Sequence, residues 1–108
     1  MSEVVVIYAT CPSPAVAEAI AGDLLARRLI ACANILPGMT ALYVWEGKLS
    51  RDHETVMILK TTALLAPSAI AAAKVLHPYT NPAFVVLPVA GGSNEFLAWI
   101  SEVTAQPV

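Results

Sequence analysis

Val4-Val5-Val6-Ile7-Tyr8 is β-branched and nearly unbroken, the pattern of a buried strand, and it runs to about Cys11. Ser13-Pro14 follows. A serine oxygen accepts from the orphan N–H groups of a first helical turn, and proline suits the first helical position. Ala17, Ile20, Ala21, Leu24 and Leu25 then recur at spacings of three and four, which predicts a helix with one apolar face ending near Arg27-Arg28. Ala31 to Leu36 is apolar and extended, Pro37-Gly38 predicts a bend or bulge, and Thr40 to Trp45 resumes the strand.

The polar stretch Glu46 to Asp52, with Gly47 inside it, reads as a hairpin turn, and Thr55 to Thr62 as the returning strand. Leu64 to Leu76 is alanine-rich and helical, stopped by His77-Pro78-Tyr79 because the residue before a proline disfavours the α conformation. Phe84 to Leu87 reads as a fourth strand. Pro88 to Gly92 is a loop, and Asn94 to Val103 a short terminal helix. The order β-α-β-β-α-β-α predicts a single α+β domain over residues 1–108. This is the ferredoxin-like split arrangement, an antiparallel sheet with two helices on one face and a C-terminal helix added. Such a fold carries many activities, so function has to be argued from particular residues.

Composition sharpens this picture. Hydrophobic residues make up 57% and charged residues 13%, against roughly 45–50% and 25% in ordinary soluble domains. That balance excludes a disordered chain. It also raises the question of a membrane span. The two long uncharged stretches, Leu29 to Trp45 and Val75 to Asn94, are cut by Pro37-Gly38 and by Pro78, Pro82, Pro88 and Gly91-Gly92, so neither reads as a lipid-facing helix. Met1-Ser2-Glu3 lacks the basic region of a signal peptide, and the expectation is a cytoplasmic protein. One small core does not bury so much apolar surface, which predicts a permanent oligomer with an apolar interface. The net charge of −2 argues against nucleic acid or anionic lipid as partner, since both select a basic face.

No common catalytic signature is present: no G-x-S-x-G, P-loop, G-x-G-x-x-G or H-E-x-x-H. Gly91-Gly92-Ser93 reads as a loop leading into a capped helix rather than a phosphate cradle, and Asp52-His53-Glu54 as a solvated turn. The two cysteines form no C-x-x-C, which excludes a disulfide scaffold. Cys32 reads as a small core hydrophobe; Cys11, at a strand end before Pro12, is either the same or an accessible soft-metal ligand. His77, at a helix end restrained by Pro78, is either a helix cap or a copper or zinc ligand. Tyr43 and Trp45 stand two apart on one strand and so share a face, as expected of a contact surface. Lys60, inside a strand, needs a partner, and Glu54 or Glu46, within the sheet or across a subunit boundary, are the candidates.

Taken together, these segments resemble the CutA family, the divalent-cation tolerance proteins. The resemblance runs through Ala31-Cys32-Ala33-Asn34 with Pro37-Gly38, Leu42-Tyr43-Val44-Trp45-Glu46-Gly47-Lys48, Glu54, and Ile58-Leu59-Lys60-Thr61-Thr62. It continues with His77-Pro78-Tyr79, Pro82, Leu87-Pro88-Val89 and Phe96-Leu97-Ala98-Trp99-Ile100. It implies a stable homotrimer, assembled like PII signalling proteins through the long second and third strands, and a non-catalytic role in tolerance of copper and other divalent metals, with no organic cofactor. By position it implies that Cys32, Tyr43, Trp45, Glu54, Lys60, His77 and Tyr79 gather around clefts between subunits, where a metal or small ligand would bind. Some relatives carry a cysteine just after the first strand run and a second histidine before His-Pro-Tyr. Here those places are Ala9 and Leu76, so His77 is the expected metal ligand, with Cys11 or Cys32 supplying sulfur. The alternative is a PII-like module that binds a small anionic ligand in the same cleft, with Lys60 as counter-charge.

Overall fold

The computed structural model describes residues 3–105, so Met1 and Ser2 of the N-terminal reading and positions 106–108 of the single domain lie outside the described residues. The elements are β1 (Val4–Cys11), α1 (Pro14–Ala26), β2 (Cys32–Trp45), β3 (Lys48–Thr62), α2 (Ala66–Leu76), β4 (Phe84–Pro88) and α3 (Asn94–Val103). The strands form one antiparallel sheet in the order β2-β3-β1-β4. This is the split arrangement that the order of apolar segments predicts.

Alternation divides the sheet into two faces. Val5, Ile7, Ala9 and Cys11 of β1, with Met57 and Leu59 of β3, are buried against Ala17, Ile20 and Leu24 of α1 and the alanines of α2. Ala66, Ala69, Ala72 and Ala73 carry no side chain beyond Cβ, which lets α2 lie close against α1 over the shared core. The helix α1 starts where its sequence says it should: Ser13 Oγ accepts from the Val16 N–H at 3.3 Å, with Pro14 at the first position. It ends at Ala26 with Arg27 as its cap, and the turn beyond carries Arg28, a non-glycine residue at φ 57°. That strained conformation is held by the Arg28 guanidinium, which donates to the carbonyls of Val103 at 3.2 Å and Thr104 at 3.4 Å. The Ala105 N–H returns a bond to the Arg28 carbonyl at 2.7 Å. The clamp ties the end of α3 to the turn after α1. α3 lies against the face opposite α1, with Ile100 buried and Phe96 beneath the Lys60 ammonium at 5.5 Å.

The largest departure from the sequence reading is the hairpin. The turn is two residues, Glu46 at φ 50° and Gly47 at φ 79°, with both dihedrals in the left-handed region. This is the tight geometry that follows the twist of the flanking strands. Lys48 to Glu54, read as turn because it is polar, is strand. Polarity misleads here because β1 pairs with β3 only over Thr55–Thr62. Beyond that, β2 and β3 run on as a two-stranded ribbon whose two faces both meet solvent, so charged residues cost little. The ribbon accounts for the 45 Å long axis of the molecule. At Pro37-Gly38 the register slips by one residue between Leu36 and Met39, the bulge that the sequence predicts, with Gly38 at φ 76°.

Candidate functional site

Where the ribbon leaves the body, its open face meets the loop between α2 and β4. The register places Ala41 opposite Asp52 and Tyr43 opposite Ser50, so Tyr43, Trp45, Asp52 and Glu54 all project to one side. Together with Thr10 at the end of β1 and Tyr79 from the loop they line a cleft of about 380 Å³. Two phenols fix the carboxylates. The Tyr79 hydroxyl donates to Glu54 Oε2 at 3.1 Å, and the Tyr43 hydroxyl donates to Asp52 Oδ2. Burial, then the hydrogen bond to Glu54, pushes the Tyr79 phenol up to about 12. The Tyr43 phenol is raised mainly by its bond to Asp52. Both phenols therefore stay neutral donors at physiological pH.

His77 holds this wall in place. Its Nε2 lies 2.8 Å from the Thr10 carbonyl, and its Nδ1 accepts from the Tyr79 N–H at 3.1 Å. A carbonyl only accepts and an amide only donates, so the ring is neutral with its proton on Nε2. The ring also packs on Tyr79 at 4.8 Å and edge-on to Phe84 at 5.9 Å. The extended backbone of His77, φ −79° and ψ 132°, is the conformation that Pro78 demands. His77 is thus a pin between β1 and the cleft loop, with both nitrogens engaged. A metal at Nδ1 has to displace the Tyr79 amide, and one at Nε2 has to displace the proton and the Thr10 carbonyl.

The two cysteines expected to supply sulfur do not come together. Cys11 lies on the core face with Ala9, as their spacing predicts, but fully buried, its thiol donating to the Ser13 carbonyl at 3.4 Å. Burial raises the pKa of this thiol, and the nearby Glu54 carboxylate raises it further, so thiolate is disfavoured. Cys32 pairs with Lys60, which pairs with Val6, whereas Cys11 pairs with Thr55. That offset of five residues is about 17 Å along the strands, with β3 between them. Both cysteines are free. Among the described residues no group of three His, Cys, Asp or Glu side chains stands close enough to hold a metal ion.

Lys60 is also far from the cleft. Its Nζ donates to Asn34 Oδ1 at 2.8 Å and sits over Phe96, rather than pairing with Glu54 or Glu46. Six residues of extended strand, about 20 Å, separate it from Glu54. Of the seven residues expected around clefts between subunits, Tyr43, Trp45, Glu54 and Tyr79 line this cleft within one chain, His77 bonds its loop, and Cys32 and Lys60 lie outside its lining. Sequence reasoning missed Asp52, set aside with the turn. Its spacing of two from Glu54 was the available signal, since in an extended segment that spacing puts both carboxylates on one face. Gly91-Gly92-Ser93 is the capped helix start it was read as, Ser93 Oγ accepting from the Phe96 N–H at 3.5 Å.

Fold and site together define a small ferredoxin-like α+β protein with a projecting β-ribbon and an acidic cleft walled by aromatic rings at its root. The family can be stated more closely, because residues 5–103 match the CutA1 divalent ion tolerance protein family. The chain belongs to that family. It is 46% identical over 99 residues to the divalent-cation tolerance protein CutA of Salmonella newport, covering 92% of this chain and 86% of the relative. The crystal structure of the divalent ion tolerance protein CutA1 from Ehrlichia chaffeensis superposes with a TM-score of 0.92 at 35% identity, covering 98% of this chain and 99% of the other. The divalent cation tolerance protein from Thermus thermophilus gives 0.91 at 43% identity, covering 94% and 99%.

Proposed function

We propose that this chain is a non-catalytic, cytoplasmic protein of divalent-cation tolerance that works as a homotrimer and receives its cation, copper included, at the cleft between ribbon and body. One observation carries the reading: Asp52 and Glu54 are held side by side by the Tyr43 and Tyr79 hydroxyls at the mouth of a cavity. Carboxylates oriented by neighbours are competent cation donors, and hydrogen bonds of this kind are what orient metal ligands elsewhere. Two carboxylates are an incomplete coordination sphere, so water or a neighbouring copy supplies the rest.

A neighbouring copy is what the ribbon asks for. Leu42, Val44 and Leu49 project from it with 66%, 69% and 78% of their surfaces exposed, and residues 48–54 of β3 pair only with β2. Exposed apolar side chains beside open strand edges favour assembly. Two free thiols fit a reducing compartment. The anionic-ligand alternative is disfavoured, because the cleft lining has two carboxylates and no lysine or arginine.

The test is calorimetric titration of the metal-free protein with copper(II), comparing wild type, Asp52→Asn with Glu54→Gln, and His77→Asn, which removes the imidazole but keeps an acceptor for the Tyr79 N–H. The expected result is loss of binding in the carboxylate variant and retention in His77→Asn. The reverse pattern assigns the metal to His77 and refutes the cleft.

A further inference from the structure

The same cleft has a composition that inorganic cations do not require. Three aromatic residues, Tyr43, Trp45 and Tyr79, line it beside Asp52 and Glu54, and its remaining polar lining, such as Thr80 and Asn81, is neutral. Among the described residues neither the Tyr43 nor the Trp45 ring is stacked on another ring. The Trp45 side chain is largely exposed on the open face of the ribbon. The two phenol hydroxyls are turned to the carboxylates, which leaves π faces and negative charge, with no basic side chain, around one volume of about 380 Å³.

A ring face attracts a cation through its quadrupole, most strongly in tryptophan, and soft, weakly hydrated organic ammonium groups gain most from it. A hydrated metal ion gains little from such walls and needs converging donor atoms instead. Carboxylates at the edge of an aromatic enclosure complete the recognition pattern of an alkylated ammonium head. The volume is that of a small organic molecule rather than of a bare ion. From this we propose that the cleft binds a small organic cation with an alkylated ammonium head, seated against Trp45, Tyr43 and Tyr79 and neutralised by Asp52 and Glu54. The inference uses the cleft described above but not its metal reading. Lys48, paired with Trp45 at the ribbon end and on the same face, is not part of the cleft lining.

The probe is tetramethylammonium chloride, titrated calorimetrically into the full chain in its native oligomeric state. tert-Butanol serves as an uncharged probe of similar shape, and sodium acetate as an anionic one. Saturable binding of tetramethylammonium, with neither of the others binding, is expected. Trp45→Ala should weaken it about tenfold, in keeping with the loss of one partly desolvated cation–π contact. Trp45→Phe, which keeps a ring, should recover part of that loss. Asp52→Asn with Glu54→Gln should weaken it at least as much. Equal binding of tert-butanol, binding indifferent to Trp45, or no tetramethylammonium binding each overturns the proposal. A parallel copper titration of the wild type separates the two readings. Copper heat without tetramethylammonium heat overturns this inference alone, and tetramethylammonium heat without copper heat overturns the metal reading alone.

Discussion

Replacing His77 with alanine tests the pin between β1 and the cleft loop. The substitution removes the bond to the Thr10 carbonyl at 2.8 Å and the bond from the Tyr79 N–H at 3.1 Å. It leaves a buried carbonyl and a partly buried amide without these partners, at about 1–3 kcal/mol for each group that water does not reach. The ring contacts with Tyr79 and Phe84 go with it, a further loss of about 0.5–1.5 kcal/mol. The amide sits closer to solvent than the carbonyl, so its share falls at the low end, and the whole is about 3–5 kcal/mol. Chemical denaturation at matched protein concentration measures it. His77→Asn should cost less, because an asparagine oxygen accepts from the N–H two residues on and so keeps the Tyr79 bond while losing the other. A His77→Ala cost below about 1 kcal/mol, or His77→Asn no better than His77→Ala, refutes the argument. Nitrogen-15 spectra of the imidazole check the tautomer independently. The proton belongs on Nε2, and finding it on Nδ1 contradicts the assignment.

Three further expectations follow from local geometry. Glu46 holds φ 50° in the first position of the ribbon turn; Glu46→Asn should stabilise the protein by about 0.5–1 kcal/mol, because asparagine tolerates that region, and unchanged or lower stability on denaturation contradicts it. Arg28→Ala removes the clamp on the Val103 and Thr104 carbonyls and should lower stability by about 1–2 kcal/mol. Arg28→Gly, which relieves the left-handed strain, should lower it less, and the opposite order on thermal melting would sink the strain argument. The Tyr79 phenol is raised to about 12 in the folded state. Its contribution to stability is therefore full below about pH 10, the ordinary tyrosine value, and is lost as pH rises toward 12. Ultraviolet titration should show a late-ionising component that is lost in Tyr79→Phe.

The fold was legible where burial is one-sided. β1 shows as a β-branched run, α1 as a three-four spacing after a serine cap, and the bulge as Pro37-Gly38, because each is imposed by a core or by a backbone constraint local in sequence. The ribbon was legible only in part. Tyr43 and Trp45 were assignable to one face, but the polar strand from Lys48 to Glu54 has no buried side to impose alternation, so its charges imitate a turn. The same error hid Asp52 from the site. His77 drew attention as a helix cap or a ligand, but the local sequence does not reveal that Thr10, 67 positions away, occupies its Nε2. Lys60 drew attention as a charge within a strand. Its actual partners, Asn34 and Phe96, come from β2 and α3, and nothing in its own neighbourhood names them.

The account's central claim is that Asp52 and Glu54, not the histidine and the thiols, meet the cation. Anomalous diffraction from crystals equilibrated with copper(II), recorded on either side of the copper absorption edge, tests it most directly. The account predicts an anomalous peak in the cleft about 2 Å from an oxygen of Asp52 or Glu54. It also predicts that the His77 bonds to Thr10 and Tyr79 stay intact. A peak on a His77 nitrogen, or on the sulfur of Cys11 or Cys32, with the carboxylates unliganded would contradict it.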